Sequence, residues 1–302
     1  MKPKELDSDK QEWLSQAERI QYDNPQFPAF LRKNYINANP IFRSTLQWHD
    51  ELEFIYVFSG SVLYNVNGEI ISIQAGEGIF VNARQLHVIV SDNGSACNLY
   101  CVILHPVLLC SSSYIAEKFV RPLIENESIP YLHLSVNIPW QKIILEKISQ
   151  IYEDKDNPDG ELLIQRYFTE IWEQLYSHLD ITVQPIKLPN QQLYILKNMI
   201  SYIHAHYMDK ITIEEICAAG NVGKTTCISI FKKHTNRTPI TFLTEYRLQM
   251  SIQLLKNTDL SITEICYETG FSNASYYAET FKKFYGLSPR EFRNRQSIAI
   301  DY

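Results

Sequence analysis

The sequence predicts an α+β multidomain protein, in which a β-barrel or sandwich is followed by a helical hairpin and by an all-α domain made of two related helical units. Short alternating apolar runs, separated by turn residues, extend from residue 30 to about residue 109. Apolar residues recur at helical spacing after about residue 138, and a helical unit near the carboxyl end occurs twice. With 302 residues and 45% hydrophobic content, the chain is long enough for about two domains.

The same patterns predict the domain organisation. The predicted parts are an N-terminal, partly helical extension (1–28), a β domain (29–135), a helical hairpin (136–180), a linker (181–191) and a C-terminal helical domain (192–296). The linker contains Pro185 and Pro189, which favour an extended backbone.

The clearest sign of β structure is the dipeptide Asn67-Gly68. It separates two alternating runs, Tyr64–Val66 and Glu69–Ile73. Both residues of an Asn-Gly pair accept positive φ angles, as the tight turn of a β-hairpin requires. Several strands at this spacing are typical of an all-β barrel or sandwich.

Two amphipathic helices are predicted on either side of the turn segment 154–160. Their apolar positions are Trp140, Ile143, Ile144, Ile148 and Ile151 in the first helix, and Leu162, Leu163, Tyr167, Ile171 and Leu175 in the second. Such a hairpin either completes the core of the β domain or pairs with a second subunit. We favour the second use.

An internal repeat defines the C-terminal domain. Ile213–Cys217 recurs as Ile262–Cys266 with an offset of 49, and Phe231–Lys233 recurs as Phe281–Lys283 with an offset of 50. The offset grows by one because the second turn contains one more residue. Two copies of one helical unit are therefore expected.

Each copy has the residues of a helix, a tight turn and a second helix. Thr212 and Ser261 are placed to cap the first helices. Asn221 and Gly270 can adopt the left-handed conformation in the turns. This order is typical of a helix-turn-helix unit, whose second helix can enter the major groove of DNA.

The segment Pro239–Asn257 joins the two copies and is predicted to be helical. About 18 helical residues span roughly 27 Å, which is close to the roughly 34 Å between successive major grooves on one face of DNA. The two second helices could therefore read adjacent turns of a bent duplex. Tandem helical pairs also form protein-interaction bundles, but a duplication with matched Phe-Lys-Lys ends favours DNA binding.

Nearly every position of a known family signature occurs in this domain. The matching segments are Ala218–Lys224, Phe231–Lys233, Tyr246–Leu248, Leu254–Leu255, Ile262–Ile265, Gly270–Ser272, Ser275–Tyr277 and Phe281–Pro289. In these segments the chain resembles the AraC-type transcription regulators. The resemblance implies sequence-specific binding of double-stranded promoter DNA, usually as a homodimer, with activation or repression of nearby genes and RNA polymerase as a further partner.

Helical periodicity separates core-facing from groove-facing positions on the two second helices. Cys227, Ile230 and Phe231 face the core in the first copy, as Tyr277 and Phe281 do in the second. Candidate base contacts are Lys224, Thr225, Thr226, Ile228, Ser229, Asn273, Ala274, Ser275, Ala278 and Glu279. Candidate phosphate contacts are Lys232, Lys233, Arg247, Lys282 and Lys283. For Arg247, whose position the resemblance also covers, an ion pair is the alternative.

Glu279 departs from the basic residue that the resemblance implies at this position. Its carboxylate can accept a hydrogen bond from cytosine N4, but it also repels phosphates. The alternative is that Glu279 lies on a solvated helix face.

Charge and cysteine content narrow the function classes. Residues 1–190 hold 15 Lys+Arg against 24 Asp+Glu, whereas residues 191–302 hold 13 against 10. This asymmetry indicates that only the C-terminal end meets a polyanion. The six cysteines form no CxxC pair, the N-terminus lacks an apolar secretory core, and no apolar run approaches the roughly 20 residues of a membrane span. We expect a cytoplasmic protein without membrane contacts.

The β domain carries parts of two further motifs. His49, Glu53 and Gly60 have the spacing of the second half of one motif, and Gly76 with His87 has the spacing of the other. In these positions the domain resembles a cupin barrel. Metal-binding cupins have two His around one residue, then a Glu and a later His. Here Gln47 stands at the first His position, and Asn82 and Arg84 replace the usual Pro and Gly of the second motif.

Two uses of these polar residues are open. His49, Glu53 and His87 could present two imidazoles and one carboxylate, a set found in non-haem iron oxygenases. The missing ligand and the attached DNA-binding unit favour instead hydrogen-bonding groups that line a pocket for a small hydroxylated effector, or a satisfied buried pair, and no cofactor is expected. A sugar-like effector is what the resemblance to the AraC-type regulators implies. The candidate effector-binding residues are Trp48, His49, Glu53, Tyr56, Tyr64, Arg84 and His87.

The favoured function is a transcription regulator controlled by a small-molecule effector. A metal-dependent cupin isomerase or oxygenase with a helical interaction module is the first alternative. The second is a constitutive DNA-binding protein with a structural barrel, whose DNA affinity no small molecule would change. The sequence contains no recognisable nucleophile triad, phosphate-binding glycine loop or catalytic carboxylate pair, so no catalytic residues are predicted.

Overall fold

The computed structural model describes residues 20–36, 46–90, 96–181 and 191–299. They form two compact units, the second of which begins with the described residue 191. The predicted α+β multidomain class is confirmed. Most of the predicted extension and residues 182–190 of the predicted linker lie outside the described residues. The described end of the extension forms turns with a bridge between Asn24 and Phe27, and no helix.

The first unit is built on two antiparallel sheets. Its strands are β1 (Ala29–Ile36), β2 (Leu52–Ser59), β3 (Ser61–Val66), β4 (Glu69–Gln74), β5 (Gly78–Val81), β6 (His87–Val90), β7 (Cys97–Leu104) and β8 (Tyr131–Leu134). One sheet has the strand order β1-β7-β2-β5-β8, and the other has the order β4-β3-β6. The β3–β4 hairpin turns at Asn67 and Gly68, whose φ angles of 55° and 101° confirm the predicted turn.

Side-chain alternation along β2 gives the five-stranded sheet two different faces. Ile55 and Val57 lie in the apolar core between the two sheets. Leu52 and Phe54 lie in a second core on the other face. Glu53 alternates with these two, so its carboxylate lies on the side of the domain interior.

The second core is covered by the helical hairpin. Short helical turns at Pro106–Leu109, Ser113–Ile115 (α1), Ala116–Val120 and Arg121–Ile124 (α2) precede the hairpin helices α3 (Pro139–Glu153) and α4 (Gly160–His178). Ile144 and Ile148 from α3 and Phe168 from α4 are buried in one cluster with Phe54 of the sheet. The ring centroids of Phe54 and Phe168 are 6.1 Å apart.

Most of the predicted apolar stripe is therefore buried within the subunit, and pairing of the hairpin with a second subunit stays a prediction. The hairpin completes the core of the first unit, which was the other use left open by the sequence. Of the predicted stripe, Ile143 and Leu162 remain exposed. The stripe packs within the subunit because the outer face of the five-stranded sheet is itself apolar and needs a cover.

The second unit is helical. Its helices are α5 (Gln191–His206), α6 (Ile213–Ala219), α7 (Lys224–Thr235), α8 (Pro239–Asn257), α9 (Ile262–Glu268), α10 (Ala274–Tyr285) and α11 (Pro289–Ala299). In the described parts of the chain, every helix is too short or too polar to cross a membrane.

The two predicted helix-turn-helix copies are α6–α7 and α9–α10. Thr212 and Ser261 each form a complete capping box with the glutamate three residues later. The turns contain Asn221 with φ 50° and Gly270 with φ 78°, both left-handed as predicted. Helix α8 has the predicted bounds. Local sequence signals thus determine this part of the fold.

His204 makes the stability of the second unit depend on pH. Burial lowers its pKa from 6.5 to about 4, and its ring stacks on Tyr246 at 4.2 Å between centroids. The unfolded chain takes up this proton near pH 6.5, whereas the folded chain resists it until about pH 4. We expect the free energy of unfolding to fall as the pH drops through this window, by at most about 3 kcal/mol.

The measurement is urea unfolding of a 190–302 fragment, followed by circular dichroism across this pH range. His204→Phe keeps a stacking ring without a titrating group, so its pH dependence should be flatter. An identical slope in the two proteins would assign the effect to other groups.

Candidate DNA-binding surface and effector site

The second helices of the two copies, α7 and α10, present the predicted DNA-contacting positions. Cys227, Ile230 and Phe231 are buried, as are Tyr277 and Phe281, which confirms the predicted core faces. The exposed candidates are Lys224, Thr225, Thr226, Ser229, Lys232, Lys233, Asn273, Ser275, Glu279, Lys282 and Lys283. Ile228, Ala274 and Ala278 are half-buried beside them. The two helices therefore combine an apolar inner face with a polar outer face.

Two of these residues also have a structural contact. The Asn273 Oδ1 accepts a hydrogen bond from the backbone N–H of Tyr276 at 2.9 Å, so Asn273 caps α10. The Lys224 Nζ lies 3.2 Å from a carboxylate oxygen of Glu214. Both side chains are exposed in this arrangement, and the weak surface ion pair can give way to a phosphate.

Tyr276 is a surface residue that the sequence-based list of DNA contacts lacks. Its side chain is 55% exposed on the first turn of α10. Helical periodicity indicates this exposure, because the residue directly before the core position Tyr277 points away from the core. An exposed tyrosine can make apolar contacts with base edges and hydrogen bonds with phosphates.

The structure does not support a phosphate contact for Arg247. Its Nε donates to the backbone oxygen of Tyr207 at 2.7 Å, and its Nη2 donates to that of Asp209 at 2.6 Å. The guanidinium carbon lies 5.9 Å from the ring centroid of Phe271. Arg247 thus joins α8 to the segment after α5 and to the turn of the second copy, and it acts within the fold.

In the first unit, five side chains from three segments meet in what we call the polar cluster: Gln47, His49, Glu53, Tyr64 and His87. The side chains of His49, Glu53, Tyr64 and His87 are each at most 3% exposed. Glu53 Oε2 lies 2.8 Å from His87 Nε2 and 3.4 Å from His49 Nε2. Tyr64 donates to the other carboxylate oxygen, Oε1, at 2.6 Å.

Backbone carbonyls set the orientation of both imidazoles. His87 Nδ1 lies 2.8 Å from the backbone oxygen of Gln85. His49 Nδ1 lies 3.2 Å from the backbone oxygen of Glu51. Carbonyl oxygens only accept hydrogen bonds, so both Nδ1 atoms carry hydrogen, and both Nε2 atoms face Glu53.

The cluster keeps Glu53 ionised. Burial by itself raises the pKa of this carboxyl, but the attraction of His87 and the hydrogen bonds from His49 and His87 outweigh it and lower the pKa well below its usual range. Burial, and next the charge of Glu53, raise the pKa of Tyr64 well above its usual value. Tyr64 therefore stays protonated and donates to a permanent negative charge.

A further layer of contacts lies behind His49. The Glu51 carboxylate is 3.4 Å from His49 Nδ1, and it also accepts a hydrogen bond from the hydroxyl of Tyr22. The sequence-based list of site residues contains neither Tyr22 nor Glu51. No motif marks them, because their role depends on a tertiary contact between the N-terminal segment and the β domain.

The remaining predicted effector-binding residues lie apart from the cluster or at its edge. Tyr56 is on the opposite face of β2, with its ring 6.5 Å from that of Tyr100. The side chain of Arg84 is partly exposed, and its Nε lies 2.7 Å from Oδ1 of Asp50. The backbone of Arg84 has a positive φ of 63°. That backbone conformation explains why glycine is usual there. Trp48 is buried next to His49 in the sequence.

His49, Glu53 and His87 are also the residues that could hold a metal. Within the described residues, one candidate ligand atom from each lies within 4.8 Å of the other two. The predicted trio thus comes together, although the sequence favoured a pocket over a metal at these positions.

A cupin-like β domain joined to two helix-turn-helix units is the architecture of a transcription regulator. Residues 35–171 match the model of the AraC-like ligand binding domain, and residues 216–295 match that of a helix-turn-helix domain. The HTH-type transcriptional regulator YdeC of Bacillus subtilis is 30% identical over 288 residues, which cover 93% of this chain and 96% of that protein. The chain belongs to the AraC family of transcription regulators, as the sequence predicts.

Two further similarities extend over most of the chain. The melibiose operon regulatory protein of Escherichia coli K12 is 23% identical over 276 residues, which cover 88% of this chain and 90% of that protein. The solved structure of ToxT from Vibrio cholerae aligns with a TM-score of 0.47 at 13% identity, covering 88% of this chain and 98% of that one.

Proposed function

We propose that this regulator binds promoter DNA as a homodimer and that each subunit inserts α7 and α10 into neighbouring major grooves. One observation carries the proposal: two capped helix-turn-helix copies expose polar residues on their second helices. Helix α8, with its 19 residues, separates the copies. Its length of roughly 28 Å is close to the spacing of successive grooves.

The proposed contacts follow the exposure of the side chains. Thr225, Thr226, Ser229, Asn273 and Ser275 hydrogen-bond to base edges, and Ile228 and Ala278 contact thymine methyl groups. Lys224, Lys232, Lys233, Lys282 and Lys283 contact phosphates. Ala274, Tyr276 and Glu279 border this surface on α10, and Arg247 supports it from within.

We propose further that a small effector binds in the β domain at the polar cluster. It alters DNA binding only if its affinity differs between two arrangements of the protein. The name of one relative refers to the melibiose operon, which is in keeping with a sugar-like effector. We propose also that the protein acts on RNA polymerase at the promoter, is located in the cytoplasm and has no enzymatic activity. The relatives of the chain are transcription regulators, which supports these three points.

Single substitutions on α7 and α10 test the base contacts. Thr225→Ala and Ser275→Ala should each lose about 1 to 3 kcal/mol of binding free energy at one base position, and little on random DNA. The measurement is fluorescence anisotropy with the operator, with operators changed at single base pairs, and with random duplex.

Thr169→Ala, on the exposed face of α4, is the matched control and should bind like the unchanged protein. An equal loss on operator and random DNA would place Thr225 or Ser275 among the phosphate contacts. Unchanged binding by both variants would remove α7 and α10 as the reading helices.

A further inference from the structure

The polar cluster brings three electron-pair donors together around one small volume. The Nε2 atoms of His49 and His87 both face Oε2 of Glu53, because backbone oxygens hold the opposite ring nitrogens. With hydrogen on Nδ1, each imidazole either donates from a protonated Nε2 to the Glu53 carboxylate or, when neutral, directs the Nε2 lone pair at it. Such an arrangement is stable when a positive charge, either protons or a cation, lies among the three atoms.

The two separations from Glu53 Oε2 come close to those around a single ion. Metal ions such as Zn²⁺ bind nitrogen and oxygen at about 2.0–2.2 Å, which separates neighbouring ligands of a four-coordinate ion by about 3.3 Å. Here His49 Nε2 and Glu53 Oε2 are 3.4 Å apart, and His87 Nε2 and Glu53 Oε2 are 2.8 Å apart. The contact between His87 and Glu53 would have to lengthen by about half an ångström to reach this spacing.

The outer contacts have the form that metal sites use. Ligating histidines commonly donate their other ring nitrogen to a carbonyl or carboxylate, which fixes the tautomer. Both histidines of the cluster have such a partner, at Glu51 and Gln85. The Glu53 carboxylate is likewise held, because Tyr64 occupies Oε1 and leaves Oε2 towards the imidazoles.

Gln47 provides a fourth side chain at this point. Backbone hydrogen bonds in both directions, at 3.0 and 2.9 Å, pair Gln47 with His87. The Gln47 amide nitrogen is 3.4 Å from His87 Nε2. A half-turn of the amide exchanges its nitrogen and oxygen, which have nearly the same size, and so directs an oxygen to the cluster.

We propose that His49, Glu53 and His87 bind one divalent first-row metal ion and that Gln47 supplies a neutral oxygen as the fourth ligand, at the position where metal-binding cupins have a histidine. Two imidazoles with carboxylate and amide oxygens suit Zn²⁺, Fe²⁺, Co²⁺ and Ni²⁺. The proposal adds a metal ion to the proposed effector site. It rests on the proposed function only in placing the effector at the same cluster. It departs from the sequence-based preference because the sequence did not show how closely the three ligand atoms converge.

The test is a titration of the full-length protein, treated with a chelator and then dialysed, with Co²⁺ and with Zn²⁺. We expect one ion per chain by elemental analysis, and visible d–d absorption for Co²⁺. Loss of a residue that only orients a metal ligand typically weakens metal binding by about 10- to 100-fold. Glu53→Gln replaces a ligand itself, so its loss of affinity should be at least that large. Substoichiometric binding, or equal binding by Glu53→Gln, would overturn the proposal.

Gln47 is tested by two substitutions with opposite expected effects. Gln47→His restores the usual histidine and should tighten Zn²⁺ binding, whereas Gln47→Ala should weaken it and retain one ion. His133→Gln is the control, because it removes a histidine that pairs with Glu77 at 3.1 Å outside the cluster. Equal affinity of Gln47→Ala and the unchanged protein would exclude Gln47 as a ligand.

Operator binding by the same preparations separates this proposal from the regulator function. A protein that binds its operator but retains no metal would contradict the metal site alone. A protein that retains one ion but binds no DNA would contradict the proposed DNA contacts and leave the metal site in place.

Discussion

Removal of residues 191–302 is expected to abolish specific DNA binding completely. Both helix-turn-helix copies lie in this part, which holds 13 Lys+Arg and 10 Asp+Glu and is therefore net positive. The remaining residues 1–190 hold 15 Lys+Arg against 24 Asp+Glu and should be repelled by the phosphate backbone. The loss should therefore include the weak binding to random DNA.

The measurement is gel mobility shift or anisotropy with operator and random duplex over a range of salt concentrations. The complementary fragment 191–302 should keep base discrimination and a salt-dependent affinity. Its affinity should fall if the first unit holds the dimer together, because two linked sites bind more tightly than one. Operator recognition by residues 1–190 would refute the assignment of function to the two units.

Gly270→Ala should be the most destabilising small substitution in the turn of the second copy. Gly270 has φ 78°, and an added Cβ would lie 2.2 Å from the backbone oxygen of Tyr207 and 2.9 Å from Nε of Arg247. The methyl group would displace the hydrogen bonds by which Arg247 joins α8 to the segment after α5. Overpacking and the left-handed conformation together should lower the free energy of unfolding by about 2 to 5 kcal/mol.

Gly286→Ala separates the two contributions. Gly286 has nearly the same φ, 75°, but an added Cβ there would meet nothing within 4 Å. This variant should lose only the conformational part, about 1 kcal/mol. Urea unfolding of the two 190–302 variants gives the comparison, and equal losses would show that the contact with Tyr207 and Arg247 has no energetic weight.

The sequence was informative where structure depends on local signals. The capping residues Thr212 and Ser261, the turn residues Asn221 and Gly270, and the bounds of α8 follow from residue type and spacing. Caps and left-handed turns involve residues only a few positions apart, so their energetics are contained in short segments. The internal repeat then made the family recognisable.

Prediction from sequence was less successful for side chains with distant partners. Arg247 was expected to contact a phosphate or to form an ion pair, but it donates hydrogen bonds to two carbonyls some 40 residues away. Tyr56 was expected in the pocket, but strand alternation places it on the face that the helical hairpin covers. The apolar stripe of the hairpin was expected at a subunit interface, because the sequence does not show the sheet that buries most of it.

By itself, the sequence determined the class of fold, the duplicated DNA-binding unit and the outward faces of α7 and α10, because helical periodicity and capping act over a few residues. Only the tertiary structure decided that Gln47, His49, Glu53, Tyr64 and His87 meet at one point, and that Tyr56 lies on the opposite face of β2. Motif spacing places the ligands on strands, but strand pairing and the backbone partners of each imidazole determine where their atoms point.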